Sequence, residues 1–192
     1  MRLSIAMCTY NGAAYLSEQL ESLAAQTRPP DELVVCDDRS NDGRTLEIVK
    51  AFARNAPFRV RLSVNRKNLG SKKNFARAIR RCRGDIIFLC DQDDVWRRDK
   101  LARFEDTFTS RPETGFVFSD ADVVDENLRP LSHLSDDFGR ERLTDLEQVK
   151  AFHALLRRNL VTGATLAFRS SFRPLVLPIP ATLFFSMMRG QP

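Results

Sequence analysis

The 192-residue sequence has no apolar run that approaches the ~20 residues of a membrane-crossing helix; stretches such as 86–90 and 181–185 are far too short. It has no leader signature either, because Met1-Arg2 runs directly into the apolar segment 3–7 with no basic region or small-residue cleavage site. The four cysteines, Cys8, Cys36, Cys82 and Cys90, share no C-x-x-C spacing, and three sit in apolar, strand-like runs. That disfavours a disulfide framework or a thiolate zinc site and points to buried small hydrophobes in a reducing compartment. Repeats, low-complexity tracts and linkers are missing, so one domain with a substantial core is expected. No recognition motif or interleaved aromatic pattern accompanies the basic residues, which argues against a nucleic-acid partner.

What is present is an ordinary globular composition, 43% apolar and 29% charged, with a net charge of +5. Basic residues cluster at 77–83, 97–98 and 157–158, while acidic residues concentrate at strand ends. A solvated surface accounts for such clusters most simply; attraction to a phosphorylated substrate or an anionic membrane face is the next reading.

Hydrophobic periodicity alternates between two modes. Residues 3–9, 32–37, 60–65, 85–90 and 116–120 read as strands, and 13–25, 44–55, 72–81 and 99–110 carry helical spacing. This alternation predicts βαβ units, hence an α/β fold with a largely parallel, doubly wound sheet. Ligands of such sheets bind beyond the carboxyl ends of the strands, so the residues after each strand carry the functional information.

After the first strand, Cys8-Thr9-Tyr10-Asn11-Gly12 offers backbone N–H groups and a ring face to a nucleobase, or serves as a plain strand-to-helix turn. After the second, Asp37 and Asp38 supply acceptors suited to a base N–H or ribose hydroxyls. The following 40–43 reads as structural, with Asn41 or Asp42 capping the next helix. After the third, Asn68-Leu69-Gly70 turns into a helix whose start, with Lys72 and Lys73, favours phosphate, while a solvated basic face better accounts for at least one of the two lysines. After the fourth, Asp91-Gln92-Asp93-Asp94 concentrates carboxylates that a cation would neutralise, and oxygen ligands suit Mg²⁺ or Mn²⁺. Asp94 and Trp96 read equally well as turn and core residues.

In their order and spacing these blocks resemble glycosyltransferase family 2, inverting enzymes of the GT-A fold, and especially its bacterial rhamnosyltransferase-like members. The resemblance runs from Leu3 to about Phe168 and includes 161–165 around Gly163, where such families line the sugar and acceptor site. It implies that Cys8, Tyr10 and Asp38 contact the nucleobase and that Asp37 and Asn68 lie near the nucleoside. It implies that Asp91 and Asp93 serve metal and diphosphate, with Thr9, Asn11, Gly70, Lys72, Gln92 and Gly163 completing the nucleotide-sugar site. The implied reaction is a single displacement from a dTDP- or UDP-sugar to a glycan or lipid-linked acceptor. Bacterial surface polysaccharide assembly, O-antigen included, is the implied setting: cytoplasmic, with peripheral contact at the inner membrane face as an option.

Such enzymes carry their catalytic base in a short His-Asp-x-Trp or Glu-Asp segment further on. Here that place holds 183–190, Leu-Phe-Phe-Ser-Met-Met-Arg-Gly, and neither His133 nor His153 is followed by aspartate, so the catalytic residue is unassigned. Met187-Met188 must be encoded ATG-ATG; with TCC for Ser186, CGT for Arg189 and GGN for Gly190, a neighbouring frame spells His-Asp-Ala-Trp. A frameshift between Ser170 and Ser186 is therefore expected, giving an incomplete GT-A domain over 1–170 and an aberrant or truncated tail over 171–192. Two rival readings stay open. Asp91-Gln92-Asp93-Asp94-Val95 fits the nucleophile signature of haloacid dehalogenase-like phosphohydrolases, although three strands precede it. The missing base suits a catalytically impaired nucleotide-sugar binding fragment; an adaptor on the same fold is a more remote option.

Overall fold

The computed structural model describes residues 1–138 and 162–179. Strand β1 (Leu3–Thr9) leads to helix α1 (Leu16–Ala24), β2 (Glu32–Asp37), α2 (Thr45–Asn55), β3 (Arg59–Val64), α3 (Ser71–Arg81), β4 (Ile86–Cys90) and α4 (Lys100–Ser110). Strands β5 (Phe116–Phe118), β6 (Asp122–Val124), β7 (Pro130–His133) and β8 (Leu166–Arg169) follow, then a short helix α5 (Arg173–Val176).

Six strands form one sheet in the order β3-β2-β1-β4-β8-β5, and β6 pairs with β7 separately. The expected parallel arrangement holds for β3, β2, β1 and β4. Beyond β4 it changes, because β8 runs antiparallel to both neighbours. The sequence reading had no strand at 166–169; only four residues long and far from its partners in the chain, it carries little periodicity of its own.

Strand side chains alternate between two apolar layers. Leu3, Ile5, Met7, Leu33, Val35, Ile86 and Phe88 meet α1, α2 and α4 on one face. Ala6, Val34, Cys36, Ile87, Leu89 and Phe168 meet Phe75, Ala78, Ile79 and Cys82 of α3 on the other. Both faces are thus covered, which is why β2 and β4 read as unbroken apolar runs rather than alternating ones. Helix α1 starts at Leu16 rather than at residue 13: Asn11 sits at φ 48, and the chain turns through 12–15 before the first helical hydrogen bonds close. No helix among the described residues is long and apolar enough to cross a membrane.

Candidate active site

The residues after β1, β2, β3 and β4 meet at the carboxyl edge of the parallel strands. Cys8 and Thr9 end β1, Asp37 ends β2, Asn68 and Gly70 precede α3, and Asp91 follows β4. Gly163 opens a 3-10 turn, Gly163–Thr165, before β8; because β8 runs antiparallel, its start lies at this same edge. All the residues expected to bind donor or metal are therefore gathered at one end of the sheet.

The loops are knitted together by side chains. Asp37 is fully buried; its carboxylate accepts hydrogen bonds from Thr9 Oγ1 at 2.8 Å, Ser40 N at 2.9 Å and Ser40 Oγ at 2.6 Å. Ser40 Oγ in turn accepts from Asn11 N, and the Asn11 side chain exchanges two hydrogen bonds of 2.9 Å with Asn41. Asp42 accepts from Arg44 N, Thr45 N and Thr45 Oγ1 just ahead of α2; the cap position itself falls on Arg44, which makes no side-chain cap hydrogen bond, so Asp42 braces the turn rather than capping the helix. Thr45 Oγ1 passes the connection on by accepting from Gly12 N at 2.8 Å.

Asp38, 3% exposed, holds the third loop. Its carboxylate accepts from Asn65 Nδ2 at 2.7 Å and from the backbone N–H groups of Leu69 and Gly70, each at 2.8 Å. Asn68 Oδ1 also accepts from Gly70 N, and Gly70 takes φ 79, a conformation in which a side chain would be strained. Asn74, buried inside α3, accepts from Asn65 and donates to the carbonyl of Cys36 at 2.7 Å. The adjacent pair Asp37-Asp38 thus has structural duties of its own, beyond the ligand-facing acceptor role expected from the sequence. Repulsion is offset because each carboxylate is surrounded by N–H and O–H donors.

Gln92 fastens the fourth loop to the first. Its Oε1 accepts from Tyr10 N at 2.8 Å and its Nε2 donates to Tyr10 O at 3.2 Å, leaving the Tyr10 ring 47% exposed at the rim. A Cβ on Gly12 would overlap Gln92 Oε1. Gly12→Ala is therefore expected to push Gln92 off Tyr10 while the flexible amide spares the fold. With two neutral hydrogen bonds lost, nucleotide affinity should fall about tenfold with little change in melting temperature. Calorimetric titration beside a melting curve checks this, and Gln92→Ala should reproduce the loss.

The aspartate cluster is electrostatically crowded. Burial, then the neighbouring Asp94 and Asp93, push Asp91 up to about 7, and Asp94 is raised chiefly by its own burial. Asp94 Oδ2 is buried with no hydrogen-bond partner among the described residues, whereas Asp93 is exposed. Lys100 is the nearby cation: its Nζ lies 4.0 Å from the centre of the Trp96 ring and donates to the Ala164 carbonyl at 2.8 Å. Burial lowers its pKa to about 8. Sequence reasoning missed this lysine, which ties the Gly163–Thr165 turn to the exit of β4; its helical position disguises it as surface. Cys8 and Cys90, whose thiols burial pushes upward, are poor nucleophiles or metal ligands.

A divalent cation fits this donor set. Among the described residues no three acidic, thiol or imidazole groups converge to enclose a metal. One or two carboxylates plus substrate phosphates is, however, how Mg²⁺ is commonly held, and Asp91 with Asp93 supplies that number. The orphaned oxygen of Asp94 and the raised Asp91 are the marks of negative charge awaiting a counter-ion. Lys72 and Lys73, considered for phosphate from the sequence, line a small cleft of about 380 Å³ along α3. His153 and the 183–190 segment, where the base was sought, lie outside the described residues.

The chain is 32% identical over 74% of its length to the dTDP-rhamnosyl transferase RfbG of Shigella flexneri, covering 46% of that protein. Among solved structures it resembles S. aureus TarS 1-349 in complex with UDP-GlcNAc, with a TM-score of 0.66 and 24% identity. That match covers 90% of this chain and 46% of the other. It also resembles the mannosyltransferase PcManGT of Pyrobaculum calidifontis in complex with GDP-Man and Mn²⁺, with a TM-score of 0.68 and 23% identity, over 96% and 49% of the two chains. The chain spans about half the length of the curated relatives it matches. Both structures share the GT-A architecture of this chain, which sets aside the dehalogenase-type reading of Asp91–Val95. The profile of the family described as "Glycosyl transferase family 2" matches residues 4–170, the same span that carries the four strand-end loops, and the chain belongs to that family.

Proposed function

We propose that this chain forms the donor-binding part of an inverting glycosyltransferase that moves a sugar from a dTDP- or UDP-sugar to a glycan or lipid-linked acceptor in bacterial surface polysaccharide synthesis. The observation that carries the reading is the aspartate cluster beyond β4, set opposite the Tyr10 and Asp38 loops at one sheet edge. The rhamnosyl transferase named above supports a dTDP-linked donor, TarS a UDP-linked one, and PcManGT, which binds Mn²⁺ with its nucleotide-sugar, a divalent cation.

On this reading the exposed Tyr10 ring stacks against the base, while the turn organised by Asp38 and Asn68 borders the nucleoside. Asp91 and Asp93 hold Mg²⁺ or Mn²⁺, which when bound neutralises the diphosphate leaving group. Gly163, held in place through Lys100 and Ala164, borders the sugar. The domain spans 1–170, and residues 171–192 are read as a tail whose sequence a frameshift has altered. A specific observation keeps a second reading beside the first: residues 183–190 read Leu-Phe-Phe-Ser-Met-Met-Arg-Gly where a His-Asp-x-Trp is expected, and on that reading the chain binds nucleotide-sugar but transfers little. A missing general base commonly costs about 10²–10⁴ in rate.

Thermal shift with UDP, dTDP and their sugars, with and without Mn²⁺, tests the proposal, since a ligand of the folded state raises its midpoint. A shift that needs both nucleotide and Mn²⁺ is expected; no shift with any of them would overturn it. Because the cation must displace the proton on Asp91, apparent Mn²⁺ affinity should fall by about tenfold per pH unit below pH 7 and level off above it. Turnover with a sugar acceptor then separates the active enzyme from the binding fragment.

A further inference from the structure

At the amino edge of the parallel strands, the opposite end from the aspartates, lies a cleft of about 770 Å³. It is lined by six arginines, Arg2, Arg61, Arg80, Arg81, Arg83 and Arg173, with Asp85 the one carboxylate among the lining residues. Strand β1 sets the separation: its seven residues, at ~3.3 Å each, put the cleft roughly 20 Å from the Cys8–Gly12 loop.

Three of the arginines are tied into the fold. Arg2 pairs with Asp85 at 3.5 Å, Arg61 with the buried Glu32 at 3.4 Å, and Arg173 donates to the Cys82 carbonyl at 2.9 Å. Even so, Arg173 Nε is buried without a hydrogen-bond partner among the described residues. Arg80, Arg81 and Arg83 are exposed, and their guanidiniums meet no acceptor among the described residues. Helix α3, which delivers two of them, contains no acidic residue to offset them. Solubility alone would scatter such charges; here they converge on one concavity. Guanidinium groups match the oxygens of a phosphate group two at a time, and several in one cleft suit a doubly charged or diester phosphate.

We propose that this arginine cleft is a second anion site, separate from the nucleotide site, that takes a phosphate group carried either by an anionic lipid headgroup or by a free phosphorylated compound. It stands independently of the nucleotide-sugar reading, since none of its residues was assigned to donor or metal, although Arg80 also borders the smaller cleft beside Lys72 and Lys73.

The test compares the wild-type chain with the triple variant Arg80→Ala, Arg81→Ala, Arg83→Ala, whose side chains hold nothing in the described fold. Two probes are used: vesicles of phosphatidylcholine with or without phosphatidylglycerol, by co-sedimentation, and inorganic pyrophosphate in EDTA, by calorimetry. Wild-type binding to at least one probe is expected, weakened about a hundredfold in the variant, at about fivefold per basic residue near an anionic surface. Loss confined to phosphatidylglycerol vesicles identifies a lipid headgroup; loss of pyrophosphate binding identifies a free anion. No binding of either probe by the wild type, or a variant less than tenfold weaker, overturns the proposal. The UDP and Mn²⁺ thermal shift, measured on the same samples, should be equal in both proteins. Its absence from both would count against the nucleotide reading and leave the arginine result standing.

Discussion

Asp91→Asn should abolish the Mn²⁺-dependent part of UDP binding, a loss of at least about a hundredfold in affinity, while making the metal-free protein more stable at pH 8. The two effects share one cause. The folded state raises this carboxyl from its ordinary value to about 7, so the protonated form is the favoured one. The stability that goes with the proton is fully present below about pH 4 and is lost as pH rises through 7. Above that the native state carries an ionised, half-buried carboxylate beside Asp93 and Asp94, which an amide would relieve by an amount on the order of 2 kcal/mol. Denaturant titrations in EDTA at pH 5 and pH 8 read this directly: the margin by which the variant exceeds the wild type should be small at the lower pH and grow towards the higher. Asp93→Asn provides the contrast, since Asp93 is exposed; it should lose cation-dependent binding with a smaller gain in stability, that of relieving its repulsion of Asp91 and Asp94. If Asp91→Asn left Mn²⁺-assisted UDP affinity intact, the assignment of the cluster to a metal would fail.

Asp38→Ala should be the most damaging single change to the fold around the site, costing about 3 kcal/mol. It strands three donors, Asn65 Nδ2 and the N–H groups of Leu69 and Gly70, in a place that water barely reaches. Asp38→Asn should cost less, about 2 kcal/mol, because an amide oxygen still accepts from Asn65 and Leu69 while its NH₂ opposes the Gly70 N–H. Urea unfolding of the three proteins checks the order. Loss of nucleotide affinity is expected to accompany both changes, because the 68–70 turn loses its anchor. A variant with wild-type unfolding midpoint would show that these hydrogen bonds add nothing net.

Much of this architecture was legible in the residues themselves. The four parallel strands and four helices follow from period, and β1 and β2 match the residue-level expectation at both ends. That 8–12, 37–43, 68–74 and 91–94 share one edge needed only the rule that chemistry gathers beyond strand carboxyl ends. What stayed hidden depended on distant partners. Strand β8 is short and its pairing is antiparallel, so nothing local distinguishes it from a loop. Lys100 and Asn74 look like polar positions on helices, yet one is pinned between Trp96 and Ala164 and the other lies buried under Cys36. The sequence also separates Asp37-Asp38 from 40–43 too sharply, since a carboxylate that braces a loop has the same letter as one that grips a ligand.

The position of β8 has a consequence for how the chain comes together. It lies between β4 and β5, although the whole stretch from Ser119 to Thr165 is made after β5. During synthesis, β1 to β4 can pair as they emerge, but β4 keeps one open edge, with Ile87 and Phe88 along it, until residue 169 arrives. The closing step is a contact of high sequence separation, which is slow to form and leaves an adhesive strand available for intermolecular pairing meanwhile. The last ladder to be zipped is therefore the one that commits the nascent chain to its native sheet.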